Sequence, residues 1–251
     1  MPATGSLNGK PTTWAVPEEV PVAILLNSES YAVMMATPAD LEDFALGFVL
    51  SEGLVAHYSQ VQNIIVLKQD EGFSVDVAGT FIRERMISRT LEGRVGCGLC
   101  GIAELEDAIR MPAAKVKPVA FAPAAIAKAM AALPAHQPMN ATTRTVHAAA
   151  FCSVDGAILL AREDVGRHNA LDKLIGAMAR GGLTPENGFV LMSSRCSFEL
   201  VQKCAHVGIG ALATISAPTA LALKLAQQSG VQVAALAHEG VMIFDGDEID
   251  Q

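Results

Sequence analysis

The last third of the chain most constrains its fold. "FVLMS", "ALATIS" and "VQVAALA" are short apolar runs of strand length, and "SFELVQKCAHV" and "PTALALKLAQQSG" separate them with helical spacing. Strand–helix–strand–helix–strand with such short connections predicts parallel strands covered by helices, since parallel neighbours need a crossover that a helix supplies. The second helix is expected to stop at Gly230, and "VMIFD" adds a final strand. Ahead of this block, "HAAAFCSV" and "AILLARE" flank Asp155-Gly156, a strong hairpin signal. A helix starting near Val165 follows, with Leu171, Leu174, Ile175 and Met178 on its apolar side.

The first half is more broken. "VAILL" (22–26) and "YAVMMA" (31–36) read as a hairpin. "PADLEDFALGFVLSEGL" reads as an amphipathic helix with Pro38 near its start and Leu41, Phe44, Ala45 and Phe48 on one face. "NIIVL" and "FSVDV" follow as strands, then a glycine-rich cysteine loop and the helix-like "GIAELEDAIR", and an alanine-rich helix over much of 123–133. The polar stretch 134–145 has no clear period and reads as the connection between two units. These are a smaller N-terminal α+β subdomain, 20–135, and a C-terminal domain, 136–251. Residues 1–19, with Pro2, Gly5, Gly9, Pro11 and Pro17, are expected to form a flexible tail.

Composition excludes several classes. Half of the 251 residues are apolar, which excludes a disordered chain. A net charge of −8 argues against nucleic-acid binding held by phosphate contacts. No apolar run reaches the roughly 18 residues of a membrane helix, and the start lacks a signal-peptide pattern. Five cysteines, an odd number in a chain too large to need disulfide staples, fit free thiols in a reducing cytoplasm.

Three places can carry chemistry. Ligands of open parallel sheets settle at the carboxyl ends of the strands, where helix N-termini present free N–H groups. Two loops fall there, Ser193-Ser194-Arg195 with Ser197, and Ser216-Ala217-Pro218-Thr219. Hydroxyls, amides and an arginine make a cradle for a phosphate-bearing ligand, although helix capping is the commoner use of such residues. The charged run Arg162, Glu163, Asp164, Arg167, His168, Asp172 and Lys173 crowds one helix start. His168 and Asp172 stand one turn apart and could pair, yet a solvated helix face would carry similar residues.

Cys97 and Cys100 form the third. A structural zinc site needs a second closely spaced Cys/His pair, and none is present. A zinc deaminase needs a His-x-Glu ahead of Pro-Cys-x-x-Cys, whereas His147 precedes Ala148-Ala149 and Gly96 stands in the proline position. Disulfide cycling is possible at a helix start that lowers thiolate pKa values. So is sulfur carriage as a persulfide, for which Gly93, Gly96, Gly98 and Gly101 give the loop freedom and little bulk. Spacing alone ranks disulfide cycling first, and glycine density narrows the gap.

The chain resembles the formate dehydrogenase accessory sulfurtransferase family (FdhD type). "VMMATPADLEDFALGFVLSEGL", "CGLCG", "TVHAAA", "REDVGRHNALDKLIG", "SSRCSFELVQKCAHVGI" and "ISAPTALALKLA" carry the resemblance in order, from Val20 to the C-terminus. The resemblance implies a sulfur carrier that accepts persulfide sulfur from a cysteine desulfurase. The acceptor would be the molybdenum or tungsten bis(molybdopterin guanine dinucleotide) cofactor of a formate dehydrogenase catalytic subunit. Carried over, Cys97 would bear the persulfide with Cys100 as companion, and the protein would hold no metal of its own. The cofactor-contacting stretch would fall on Leu236, Ala237, His238, Glu239, Gly240 and Val241, with Arg195 and Thr219 on the nucleotide arms. Ser194 and His238 depart from the family, which often has glycine and arginine there. A C-terminal three-layer α/β/α fold like cytidine deaminases, with a mixed sheet, and a homodimer are also implied. A cofactor-binding chaperone that moves no sulfur and a thiol–disulfide oxidoreductase are the alternatives.

Overall fold

The computed structural model describes residues 1–82 and 115–244. "SLNGKP" folds what was expected to be a flexible tail into a hairpin, β1 (Pro2–Leu7) and β2 (Lys10–Ala15). Asn8 and Gly9 both adopt positive φ at its turn, 51° and 79°, which suits Asn-Gly between two strands. That local signal outweighs the prolines and glycines around it. One anchor ties the ribbon to the body: Trp14 Nε1 donates to the Thr143 carbonyl at 3.2 Å, and the Arg144 guanidinium lies 6.0 Å from the indole centroid.

Strands β3 (Val20–Leu26), β4 (Glu29–Ala36), β5 (Val61–Gln69) and β6 (Gly72–Gly79) form a four-stranded sheet in the order β4-β3-β6-β5. Only β3 and β6 run parallel. Alternate residues Val22, Ile24 and Leu26 of β3 are buried against helix α1 (Leu41–Ser51). That helix is expected to be amphipathic, yet every residue except Glu42 is buried. The reason is tertiary: α1 lies between the small sheet and helix α4 (Arg167–Arg180).

The crossing of α1 and α4 is set by two glycines. A Cβ on Gly47 would sit 1.7 Å from the Asp172 carbonyl oxygen, and one on Gly176 would sit 1.9 Å from that of Asp43. Backbone meets backbone there, so no larger side chain fits.

The second sheet holds six strands in the order β12-β11-β10-β9-β7-β8. They are β7 (His147–Ser153), β8 (Ile158–Asp164), β9 (Gly188–Cys196), β10 (Ala211–Pro218), β11 (Gln232–Ala237) and β12 (Gly240–Phe244). The expected parallel run is present as β9, β10 and β11, while β7, β8 and β12 make the sheet mixed through antiparallel pairing. Side chains alternate between two cores. Ala149, Phe151, Val190, Met192, Leu212 and Val233 face α4, α5 (Phe198–His206) and α6 (Ala220–Ser229). Ala148, Ala150, Cys152, Leu191 and Ala213 face α2 (Pro123–Ala132). Helix α2, which precedes the expected boundary at 135, therefore packs on the six-stranded sheet.

Residues 134–145, read as the connection between two units, hold most of a 3₁₀ turn (Leu133–His136) and the short helix α3 (Pro138–Thr143). The α3 start depends on a distant partner. Both Glu163 carboxylate oxygens accept backbone N–H groups, from Met139 and Asn140, at 2.8 Å each. No local period announces such a cap.

Candidate functional site

Parallel strands β9, β10 and β11 end on one edge of the large sheet, and antiparallel β7 starts there. Ala148 N donates to Ser193 Oγ at 2.8 Å, which fixes the amino end of β7 beside the carboxyl end of β9. His147 pairs in register with Asp164 at the end of β8, and α4 begins three residues later. The same edge carries Ser197, the residue preceding α5.

The charged run at the start of α4 divides into structural ties and site residues. Asp164 is fully buried and each of its oxygens is occupied. One oxygen accepts from Thr37 N (2.9 Å), Thr37 Oγ1 (2.8 Å) and Lys173 Nζ (2.7 Å); the other accepts from Gly166 N (2.8 Å) and Asn169 Nδ2 (3.0 Å). Asp172 does not pair with His168. It accepts from Lys203 Nζ (2.9 and 3.0 Å) and from Ser51 Oγ (2.6 Å), while Glu52 reaches the same ammonium at 2.9 Å. One turn of helix separates His168 from Asp172, but α5 supplies Asp172 with the Lys203 ammonium at 2.9 Å.

Burial opposes charge on both partners. At Lys203 the carboxylates of Asp172 and Glu52 outweigh it and raise the pKa, whereas at Asp172 burial dominates and pushes the carboxyl up. Arg162 joins Asp43 of α1 at 2.7 Å, and Arg180 joins the same carboxylate at 2.9 Å. These contacts hold α1 against α4, α5 and β8.

What remains faces the sheet edge. His168, 2 % exposed, places its Nε2 3.9 Å from Glu199 Oε2, so the first turns of α4 and α5 meet. Burial alone would raise the Glu199 pKa. Hydrogen bonding to His168, then Ser197 and its own backbone, and the charge of His168 bring it from 4.5 down to about 2. His147 is affected in the opposite sense. Burial first, then Arg167 and His168, lower its pKa although Asp164 opposes them, so its imidazole is neutral at pH 7. His147, Arg167, His168, Ser197 and Glu199 thus form one cluster from three elements. The sequence reading names Arg167 and His168 in one charged run and His147 and Ser197 elsewhere, does not single out Glu199, and does not join them; the shared signal is that each sits near an element's start.

The other expected contacts are spread along the edge. Arg195 is exposed at the end of β9, opposite Ser216 of β10. Ser194 is buried and its hydroxyl donates to the Arg195 carbonyl at 3.0 Å. Thr219 accepts from Ala222 N at 3.2 Å, so it caps α6 as its residue type suggests. Leu236 to Val241 form the end of β11, an exposed turn at His238-Glu239, and the start of β12.

Cys97 and Cys100 lie outside the described residues, as does "GIAELEDAIR". Cys152, Cys196 and Cys204 are buried; burial pushes the first two thiols up to about 12 and raises Cys204 as well. Among the described residues no group of three His, Cys, Asp or Glu side chains is placed so that it could hold a metal ion, and no helix is long and apolar enough to cross a membrane. A cavity of about 450 Å³, walled by Leu50, Ile175, Met178, Val207 and Ile209, opens at the far ends of α1, α4 and α5.

Comparison with known proteins identifies the fold and the family. A solved structure from Desulfotalea psychrophila, whose description assigns it provisionally to formate dehydrogenase accessory proteins, superposes with a TM-score of 0.76. It is 24 % identical and covers 98 % of this chain and 96 % of its own, which shows a shared fold. The sulfur carrier protein FdhD of Chromobacterium violaceum is 48 % identical over 242 residues, 93 % of this chain and 90 % of that one. The protein of the same name from Cupriavidus necator is 47 % identical over 231 residues, 91 % of this chain and 80 % of its own. The FdhD/NarQ family model matches residues 17–248, both sheets and every helix of the fold included, so the chain belongs to the FdhD/NarQ family.

Proposed function

We propose that this protein is a sulfur carrier and sulfurtransferase that serves formate dehydrogenase maturation. The observation that carries the proposal is 47–48 % identity, over nine tenths of the chain, to relatives named sulfur carrier protein FdhD. Cys97 is the proposed persulfide-bearing residue and Cys100 its companion. In loading, the Cys97 thiolate attacks the outer sulfur of a cysteine desulfurase persulfide. The donor S–S bond breaks, a new one forms on Cys97, and the desulfurase leaves as a thiolate. The burial of Cys152, Cys196 and Cys204 supports this assignment, since a raised pKa leaves almost no thiolate at pH 7.

The acceptor in this proposal is the molybdenum or tungsten bis(molybdopterin guanine dinucleotide) of the formate dehydrogenase catalytic subunit. The carboxyl edge of the large sheet supports it, because a nucleotide fits where strands end and helices begin. Arg195 and the Leu236–Val241 turn are its proposed contacts, with Thr219 acting through the α6 cap. A cytoplasmic homodimer completes the proposal.

The test is to incubate the protein with a cysteine desulfurase and cysteine, then map it by non-reducing peptide mass spectrometry. One extra sulfur on the Cys97–Cys100 peptide, lost on reduction and absent from Cys97→Ala, is expected. No sulfur uptake from a competent desulfurase would leave a cofactor-binding chaperone, and an internal disulfide alone would leave a thiol–disulfide oxidoreductase.

A further inference from the structure

We propose that the apolar cavity walled by Leu50, Ile175, Met178, Val207 and Ile209 is where the sulfur-donating desulfurase docks, taking in one or two large apolar side chains of that protein. This rests on the sulfur-carrier reading above and adds the surface that brings the donor to Cys97.

The cavity holds about 450 Å³, inside the range of about 300–1,000 Å³ common for binding sites. Its floor is core: Ile209 is fully buried, and Ile175 and Met178 are each 3 % exposed. Its mouth carries no charge. Asp, Glu, Lys and Arg make up 18 % of the chain, yet none of them lines the cavity, and Tyr58, His57, Thr184 and His206 supply the polar rim. Loss of charge around an apolar centre, with an aromatic at its edge, is the composition of an interface core. Water in such a recess is displaced favourably by apolar atoms, and the unbranched Met178 can adjust to the shape of what enters. Tyr58, 40 % exposed, is the large rim side chain that a docked partner would cover.

Position indicates which partner. The segment 83–114, which carries Cys97 and Cys100, begins after Ile82 and ends before Lys115. Ile82 N donates to the Leu54 carbonyl at 2.8 Å, and Leu54 stands two residues from Ala56 of the cavity lining. On the return, Val116 N donates to the Ser229 carbonyl at 2.8 Å. The Lys117 carbonyl oxygen then rests against Gly210, the neighbour of Ile209, so closely that a Cβ on that glycine would stand 2.0 Å from it. Both ends of the cysteine-bearing segment are thus tied beside one cavity. A protein that brings its persulfide to Cys97 meets the molecule at the end from which that segment springs.

The acceptor has the other end. Ile209 lies just before β10 and Pro185 just before β9, whereas Arg195 and Thr219 stand at the far ends of the same strands. The eight residues of β10, at about 3.3 Å each, put roughly 26 Å between the two edges. A nucleotide held at the carboxyl edge leaves the cavity open, so donor and acceptor need not compete for one surface.

The test compares sulfur uptake by the full chain from two sources, a cysteine desulfurase with cysteine and inorganic polysulfide, which loads a thiolate without docking. Tyr58→Ser and Val207→Asp are each expected to lower the second-order rate of uptake from the desulfurase about tenfold, the scale of losing an aromatic or apolar anchor contact. Uptake from polysulfide should stay at the wild-type rate in both. Tyr58→Ser, at an exposed position, carries the test should Val207→Asp fail to fold. Wild-type rates from the desulfurase in both variants would overturn the docking surface and leave sulfur carriage standing. Equal losses from both sources would place the effect on Cys97 itself and also overturn it. Unchanged uptake with lost self-association, or with lost binding of a formate dehydrogenase catalytic subunit, would give the cavity to that occupant instead. Wild-type protein that loads from polysulfide but never from the desulfurase would overturn the donor and the docking surface together.

Discussion

Replacing Gly47 by alanine sets two opposite effects against each other. In a solvated helix the change stabilises by about 1 kcal/mol, because alanine loses less backbone entropy. Here the new Cβ would stand 1.7 Å from the Asp172 carbonyl oxygen, where ordinary contact needs 3.4 Å, so α1 and α4 must separate by about 1.7 Å. The opposing atoms are helix backbone and cannot rotate away, which places the overpacking cost near 3 kcal/mol, the upper end of its usual range. Separation also stretches the 2.6 Å bond from Ser51 to Asp172, a bond to a charged group worth about 1.5–3 kcal/mol. The net expectation is a loss of about 3.5–5 kcal/mol, roughly 10 °C or more in thermal midpoint for a chain of this size. Urea unfolding followed by circular dichroism measures it. A Gly47→Ala protein as stable as wild type, or more so, would refute the close crossing as the determinant of this interface.

Three further outcomes follow from the buried groups. Lys203→Met should destabilise by about 3–5 kcal/mol, because it strands Asp172 and Glu52 without their cation. Adding Asp172→Leu should recover part of that loss, and a double-mutant cycle by urea unfolding would read the coupling. Glu199→Gln should remove a stabilisation that depends on pH. Its folded pKa of about 2 lies below the ordinary 4.5, so the contribution is present above pH 4.5 and is lost as pH falls towards 2. The difference in thermal midpoint between wild type and variant should therefore shrink across that window; a constant difference would sink the ion-pair account. Finally, iodoacetamide at pH 8 should leave Cys152, Cys196 and Cys204 unlabelled in the folded protein and label all three in guanidinium, read by peptide mass spectrometry.

Local pattern made most elements of the fold legible. "HAAAFCSV" and "AILLARE" pair about the Asp155-Gly156 turn as the hairpin signal places them, "FVLMS", "ALATIS" and "VQVAALA" are strands of the expected length, and α4, α5 and α6 follow their apolar spacing. The Asn8-Gly9 turn is equally local, although the prolines and glycines around it read as a tail. Helix α3 could not be read in the same way, because the carboxylate that starts it sits at Glu163, on another strand.

The site divides along the same line. Residue type and position alone marked Thr219 as a cap and put the two hydroxyl-rich loops at the ends of β9 and β10, since both follow from one element and its neighbours in sequence. The family, too, was legible from its ordered motifs. Only tertiary structure decided that Asp172 answers to Lys203 and not to His168, and that His147, Arg167, His168, Ser197 and Glu199 share one edge. The physical reason is that a buried charge takes whichever opposite charge packing brings within about 3 Å. In this chain the strand order brings that partner from residues tens of positions away.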